Sequence, residues 1–229
     1  MKRSEINHSI AYIIQKARDF KIPLPPFAFY SSENWKNLTK DERELVDTML
    51  GWGITDFGKG DYNKCGLGIF TFRNGSQSDP ETYSKVYCEK LLFVLDGQML
   101  PYHFHYSKME DIINRGGGTL EITLYNSDEK EDFAKTDVTV TLDGKQITVK
   151  AGSKITLEPG QSVTLLPHQY HSWKGIAGTG DIAVFEVSKA NDDNLDNHFY
   201  DKTPWVPHVE EDEPIQYLVF DDYKKYVQF

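Results

Sequence analysis

Basic charge is what this chain most lacks. Lysine and arginine together number 25 against 35 aspartates and glutamates, a formal net charge of −10 at pH 7. Nucleic acids and anionic membrane surfaces are held by basic patches, so neither is expected as a partner. The same shortage makes the chain a poor trap for phosphorylated metabolites and favours neutral small molecules. Cysteine is nearly absent. Cys65 and Cys88 are too few for a disulfide framework and suit a reducing compartment, the cytoplasm. As small apolar side chains, both are expected in the core. No apolar run approaches the roughly eighteen residues of a membrane span. The N-terminal apolar positions are interrupted by Asn7, His8, Gln15 and Lys16, so no signal peptide is read there. An internal repeat and a low-complexity tract are also missing. What is present is 229 residues, 39% hydrophobic and 13% aromatic, enough to bury a full core.

Helical periodicity is confined to the first fifty residues. Ile6, Ile10, Ile13, Ile14 and Ala17 recur at three and four, and Ser4 is the expected cap. Pro23, Pro25 and Pro26 then predict an extended arm through Tyr30. Thr39 and Glu42 read as a capping box opening a second short helix that runs through Leu50 and closes at Gly51.

From Gly53 the texture becomes that of short strands and tight turns. Leu67–Phe72, Lys90–Leu95, Thr119–Tyr125, Ser153–Leu157, Ser162–Leu166, His171–Ile176 and Asp181–Ser188 are strand-like. The clearest hairpin joins Val138–Leu142 to Lys145–Val149 across Asp143-Gly144, a type I′ signal. Many short strands at even spacing predict an all-β fold, here a jelly-roll β-barrel over residues 53–190. Residues 1–52 form an N-terminal helical extension packed on the barrel. The tail, 191–229, is rich in aromatics (Phe199, Tyr200, Trp205, Tyr217, Phe220, Tyr223, Tyr226, Phe229) and should pack on the barrel or on a partner subunit. Glu210–Glu213 reads as a solvated turn.

The chemistry is concentrated between Gly97 and Gly118. His103 and His105 stand two apart on a strand, so they share a face and can grip one metal ion. A turn after them lets Glu110 return as a third ligand, and imidazole plus carboxylate suits Mn, Fe, Ni or Zn better than Ca or Mg. Another imidazole is offered where an apolar strand ends in His168 and His171. His171 is the better placed, because His168 adjoins the turn at Pro167. Three further groups stand near: Lys108, Arg115 and Glu186. Alternation puts Glu186 on one face with Val184 and Ile182, either inside the barrel, where burial suits a carboxylate to acid–base work, or outside in solvent. Lys108 is either a site cation or a surface charge, and Arg115 either a site cation or a pin for the glycine turn. Glu121 is an alternative base. Phe93, Phe104, Tyr106 and Trp173 are candidates for pocket walls or core.

Gly97, His103, His105, Glu110 and Gly117 meet every term of the first cupin signature, and the chain resembles that superfamily. The second signature is met loosely. Gly160 to Pro167 is one residue too long, Gln169 stands where glycine is usual, and His171 arrives one residue early. The run from Tyr102 to Gly118, with Lys108-Met109-Glu110-Asp111-Ile112-Ile113-Asn114-Arg115-Gly116-Gly117-Gly118 at its centre, is similar to the cupin-type D-lyxose isomerases over the whole chain. The resemblance implies a divalent ion, usually Mn²⁺ with Zn, Co or Fe as others, bound by His103, His105, Glu110 and His171. It implies aldose–ketose interconversion of D-lyxose and D-xylulose, and of D-mannose and D-fructose, through a cis-enediol. Lys108, Glu186, Arg115 and Glu110 are then the catalytic candidates, and a homodimer is expected by analogy. Three other functions share such a barrel. They are an iron dioxygenase, a phosphosugar isomerase, which would want more cations than Lys108 and Arg115, and a sugar-binding protein without catalysis.

Overall fold

The computed structural model describes every residue except 191, 194, 203, 205 and 207. Its first element is helix α1 (Arg3–Asp19), which buries Ile6, Ile10, Ile13, Ile14 and Ala17 along one stripe. Ser4 does not cap it. Lys2 holds that position, its backbone N–H donating to Glu5 at 2.7 Å, while the Ser4 N–H and hydroxyl reach Asp212 at 2.9 and 2.7 Å. Pro26 opens a 3₁₀ turn (Pro26–Phe29) in place of the expected arm, because proline suits a first helical position as well as extended chain. The helix expected from Thr39 to Leu50 is also replaced. After α2 (Ser32–Lys36) come a 3₁₀ turn (Lys40–Glu42), boxed by Thr39 and Glu42, and α3 (Glu44–Asp47). Met49 then takes a φ of 56°, which no helix tolerates.

The strands are β1 (Gly51–Thr55), β2 (Leu67–Arg73), β3 (Tyr87–Val94), β4 (Met99–His105), β5 (Glu110–Gly117), β6 (Leu120–Asn126) and β7 (Val138–Leu142). They continue as β8 (Lys145–Val149), β9 (Lys154–Leu157), β10 (Ser162–Leu165), β11 (Gln169–Gly175), β12 (Ile182–Lys189) and β13 (Asn197–Phe199). Among the described residues they form two antiparallel sheets, ordered β1-β2-β3-β12-β5-β10-β7-β8 and β13-β4-β11-β6-β9. The fold is the expected all-β jelly-roll. In the β7–β8 hairpin, Asp143 and Gly144 take φ of 46° and 82°, the left-handed pair that a type I′ turn requires.

One core lies between the sheets, where Leu67, Ile69, Leu92, Leu100, Ile112, Ile122, Val163 and Val184 meet. A second lies on the outer face of the larger sheet, where the α1 isoleucines cover Trp52, Phe70, Leu91, Phe93 and Ala183. Burying each such isoleucine is worth about 1.5–3 kcal/mol, so α1 is bound by its stripe. The tail returns to the barrel. β13 pairs with β4, and α4 (Tyr223–Tyr226) stacks Tyr223 on Trp35 at 4.5 Å. Phe220 lies so close to β1 that a Cβ on Gly53 would stand 2.2 Å from its ring. Trp205 lies outside the described residues.

The acidic run is largely solvent-exposed, as expected, but it is also bound to α1. Glu211 and Asp222 clamp the guanidinium of buried Arg3, each through two bonds of 2.8–2.9 Å, Asp212 takes Ser4, and Glu213 takes Asn7 at 2.6 Å. These carboxylates gather at the N-terminus of α1, where the helix dipole favours negative charge.

Candidate active site

The smaller sheet supplies the histidines. Strand alternation turns His103 and His105 of β4 inward, and β11 places His171 directly opposite His103. Glu110, at the start of β5, arrives from the larger sheet. The ligand atoms of the three histidines lie within 4.8 Å of one another, and Glu110 Oε1 is 3.4 Å from His105 Nε2 and 3.2 Å from His171 Nε2. All four residues are buried.

Two backbone carbonyls set the tautomers. His103 Nδ1 is 3.0 Å from Pro101 O, and His171 Nδ1 is 3.0 Å from Gln169 O. A carbonyl only accepts, so each Nδ1 carries the proton and each Nε2 presents a lone pair. Burial, with His171 and His105 nearby, holds His103 well below the ordinary imidazole range, and burial with Lys108 lowers His105. Neutral imidazole is the metal-binding form. Glu110 Oε1, His171 Nε2 and both ring nitrogens of His105 are buried without hydrogen-bond partners among the described residues. Lone pairs converging without donors between them fit a divalent cation.

A chain of charges runs from this cage. Lys108 Nζ donates to Glu110 Oε2 at 2.8 Å and to Glu186 Oε1 at 2.9 Å. Glu186 Oε1 also accepts from Ser188 Oγ at 3.0 Å and has Lys90 Nζ at 3.5 Å, and Lys90 in turn holds Asp193 at 2.9 and 3.0 Å. Burial works against charge on Lys108, but Glu110 and Glu186 outweigh it and raise its pKa, so it stays an ammonium. Burial would likewise raise Glu110, yet Lys108 and His105 hold it well below the carboxylate range. Glu186, 4% exposed, shares the inward face with Val184 and Ile182.

The structure therefore brings His103, His105, Glu110, Lys108 and Glu186 into one cavity, walled by Phe57, Leu92, Trp173 and Phe199, with His171 beside it against Glu110. It does not bring Arg115. Glu110, Ile112 and Asn114 face in, so alternation turns Arg115 out to solvent. Glu121 faces out as well, paired with Lys154 and Lys174, and His168 sits exposed in the turn with φ 62°. Of the four aromatics expected as pocket walls, Trp173 lines the cavity, while Phe93 packs under α1 and Phe104 and Tyr106 lie behind the histidine strand. Lys90, Asp193 and Asn197 were not foreseen. Lys90 had a readable signal, since it alternates with Leu92 and Val94 and sits opposite Glu186 in register. Asp193 and Asn197 lie in a loop and a three-residue strand with no such pattern.

The sequence model of the D-lyxose isomerase family matches residues 1–223. The chain belongs to the D-lyxose isomerase family. It is accordingly a sugar aldose–ketose isomerase. The D-lyxose/D-mannose isomerase of Escherichia coli O157:H7 is 43% identical over 227 residues, 99% of this chain and 100% of that protein. The one from Serratia proteamaculans is 42% identical over 228 residues, with the same coverage. Among solved structures, a mutant of Acinetobacter sp. DL28 L-ribose isomerase with L-ribose superposes with a TM-score of 0.61 at 14% identity, covering 92% of this chain and 98% of that one. Cellulomonas parahominis L-ribose isomerase gives 0.58 at 16% with the same coverage. These likenesses are of fold, and they show the D-lyxose isomerase barrel recurring in distant sequences. No helix among the described residues is long and apolar enough to cross a membrane.

Proposed function

We propose that this chain interconverts D-lyxose and D-xylulose, and D-mannose and D-fructose, using a divalent cation held by His103, His105, Glu110 and His171. Manganese is the first choice, with zinc, cobalt or iron as the others. The observation that carries this reading is the Lys108 bridge, which ties a carboxylate of the cation cage to a second buried carboxylate, Glu186, facing the same space. A cation held by these residues would supply Lewis acidity to an open-chain sugar and so would make the proton on C2 removable.

Glu186 takes that proton from C2 and returns it to C1. The net change is one proton moved from C2 to C1 and one from O2 to O1, by way of a cis-enediol. Lys108 and Ser188 aim Glu186 by hydrogen bonds to the same oxygen, Oε1. Lys108 stays charged and so acts as a donor and counter-charge rather than a proton source. Phe57, Leu92, Trp173 and Phe199 exclude water, which strengthens each of these interactions. Both buried lysines of the cavity are already paired to carboxylates, which counts against a phosphorylated substrate.

On this reading two copies of the chain pair, and light scattering should read twice the chain mass. The two free cysteines suit the cytoplasm. The deciding experiment is ketose formation from D-lyxose and D-mannose by metal-stripped protein with and without Mn²⁺. Product should appear only with the metal. No turnover with manganese fully bound would overturn the reading and direct attention to oxygen uptake with iron.

A further inference from the structure

Buried polar atoms without partners are costly, so those lining a ligand cavity mark where polar groups of the ligand belong. Beyond the atoms of the cation cage, the cavity holds two among the described residues, Trp173 Nε1 and Asn197 Oδ1. The indole N–H can only donate. The Asn197 amide is oriented by its other end, because Nδ2 donates to the backbone carbonyl of Asp193 at 2.8 Å. That carbonyl only accepts, so Oδ1 is left as the acceptor.

The strands place these two residues at different levels along β4, on its two flanking strands. β11 carries Trp173 two residues beyond His171 on the same inward face, opposite Leu100 of β4, and β13 sets Asn197 opposite His105. Along β4 the donor thus lies level with Leu100, before the histidines, and the acceptor level with His105. A hydroxyl both donates and accepts, and a sugar engaged by O1 and O2 still has hydroxyls further along its chain.

We propose that Trp173 Nε1 and Asn197 Oδ1 read two of the sugar hydroxyls beyond C2, the indole donating to one and the amide oxygen accepting from the other. The assignment rests on the sugar reading of the site. It makes these two residues specificity determinants, because a cavity with an unpaired donor and an unpaired acceptor penalises a sugar that lacks the matching hydroxyl.

The test is calorimetric binding of the alditol of D-lyxose, which cannot isomerise, and of its 3-, 4- and 5-deoxy forms to manganese-loaded wild type, Trp173→Phe and Asn197→Leu. Wild type should lose about tenfold or more on two of the deletions. Trp173→Phe should bind the parent alditol about tenfold more weakly yet respond less than about twofold to one of those deletions, and Asn197→Leu likewise to the other. Deletions that cost the variants as much as wild type would overturn the proposal. So would a wild type that no deletion weakens beyond about twofold, a result that stands even if Trp173→Phe does not fold. Ketose formation by wild type is read separately. Selective alditol binding without it would sink the isomerase reading while leaving the hydroxyl contacts standing.

Discussion

Lys108 donates to two carboxylates, but only one of them belongs to the proposed cation cage, and substitution separates the two roles. Glu186→Gln should lower kcat on D-lyxose by about 10²–10⁴-fold, the usual worth of a positioned acid–base group, while manganese content stays at wild-type stoichiometry. Loss of metal together with activity would assign Glu186 to the cage instead. Cys88 gives a pH-dependent check on burial. Desolvation pushes its thiol up to about 12, so at pH 8 it stays protonated, and the thiolate is the reactive form. It should resist alkylation in native protein and react once denaturant is added. Site residues were legible where a local rule fixes direction. The spacing of His103, His105 and Glu110 is such a rule, whereas alternation through Val184 grouped Glu186 with its apolar neighbours and left to the structure which face is inside. The same alternation, counted from Glu110, turns Arg115 outward, so its place in the site failed on a rule already in hand. Asn197 obeys no local rule, since its inward face is fixed by pairing with β4, some ninety residues earlier in the chain.

Among elements, the dock between α1 and the tail shows what local reading cannot reach. The β7–β8 hairpin was legible because its register is set by two residues between its own strands. The acidic run was not, because its partners lie more than two hundred residues away. Arg3 is fully buried at its side chain, whereas its partners are 38% exposed (Glu211) and 11% exposed (Asp222). Arg3→Ala should therefore cost about 3–5 kcal/mol, because it strands a buried carboxylate. Glu211→Ala should cost about 1 kcal/mol or less, as an exposed partner does. Urea unfolding measures both, and equal losses would show that the two carboxylates share the load.

For the whole molecule, the cage joins the two sheets. His103, His105 and His171 belong to the smaller sheet and Glu110 to the larger, so a cation held by all four would link the two sheets. Chelation should lower Tm. At a metal concentration 100 times Kd the bound state gains about 2.7 kcal/mol, which for a chain of this size corresponds to roughly 5–10 °C. Differential scanning calorimetry with and without Mn²⁺ reads the shift, and coincident curves would mean that the cage does not hold the ion.

The clamp on Arg3 also bears on how the chain is made. On the ribosome α1 emerges before the barrel and the tail, and Asp222 follows Arg3 by 219 residues, a wait of about 10–45 s at cellular rates of elongation. Through that interval the isoleucine stripe has no finished sheet beneath it and the guanidinium no carboxylate to meet. Sealing this end of the molecule is thus a late event of biosynthesis, and the nascent helix is the part a chaperone would find exposed.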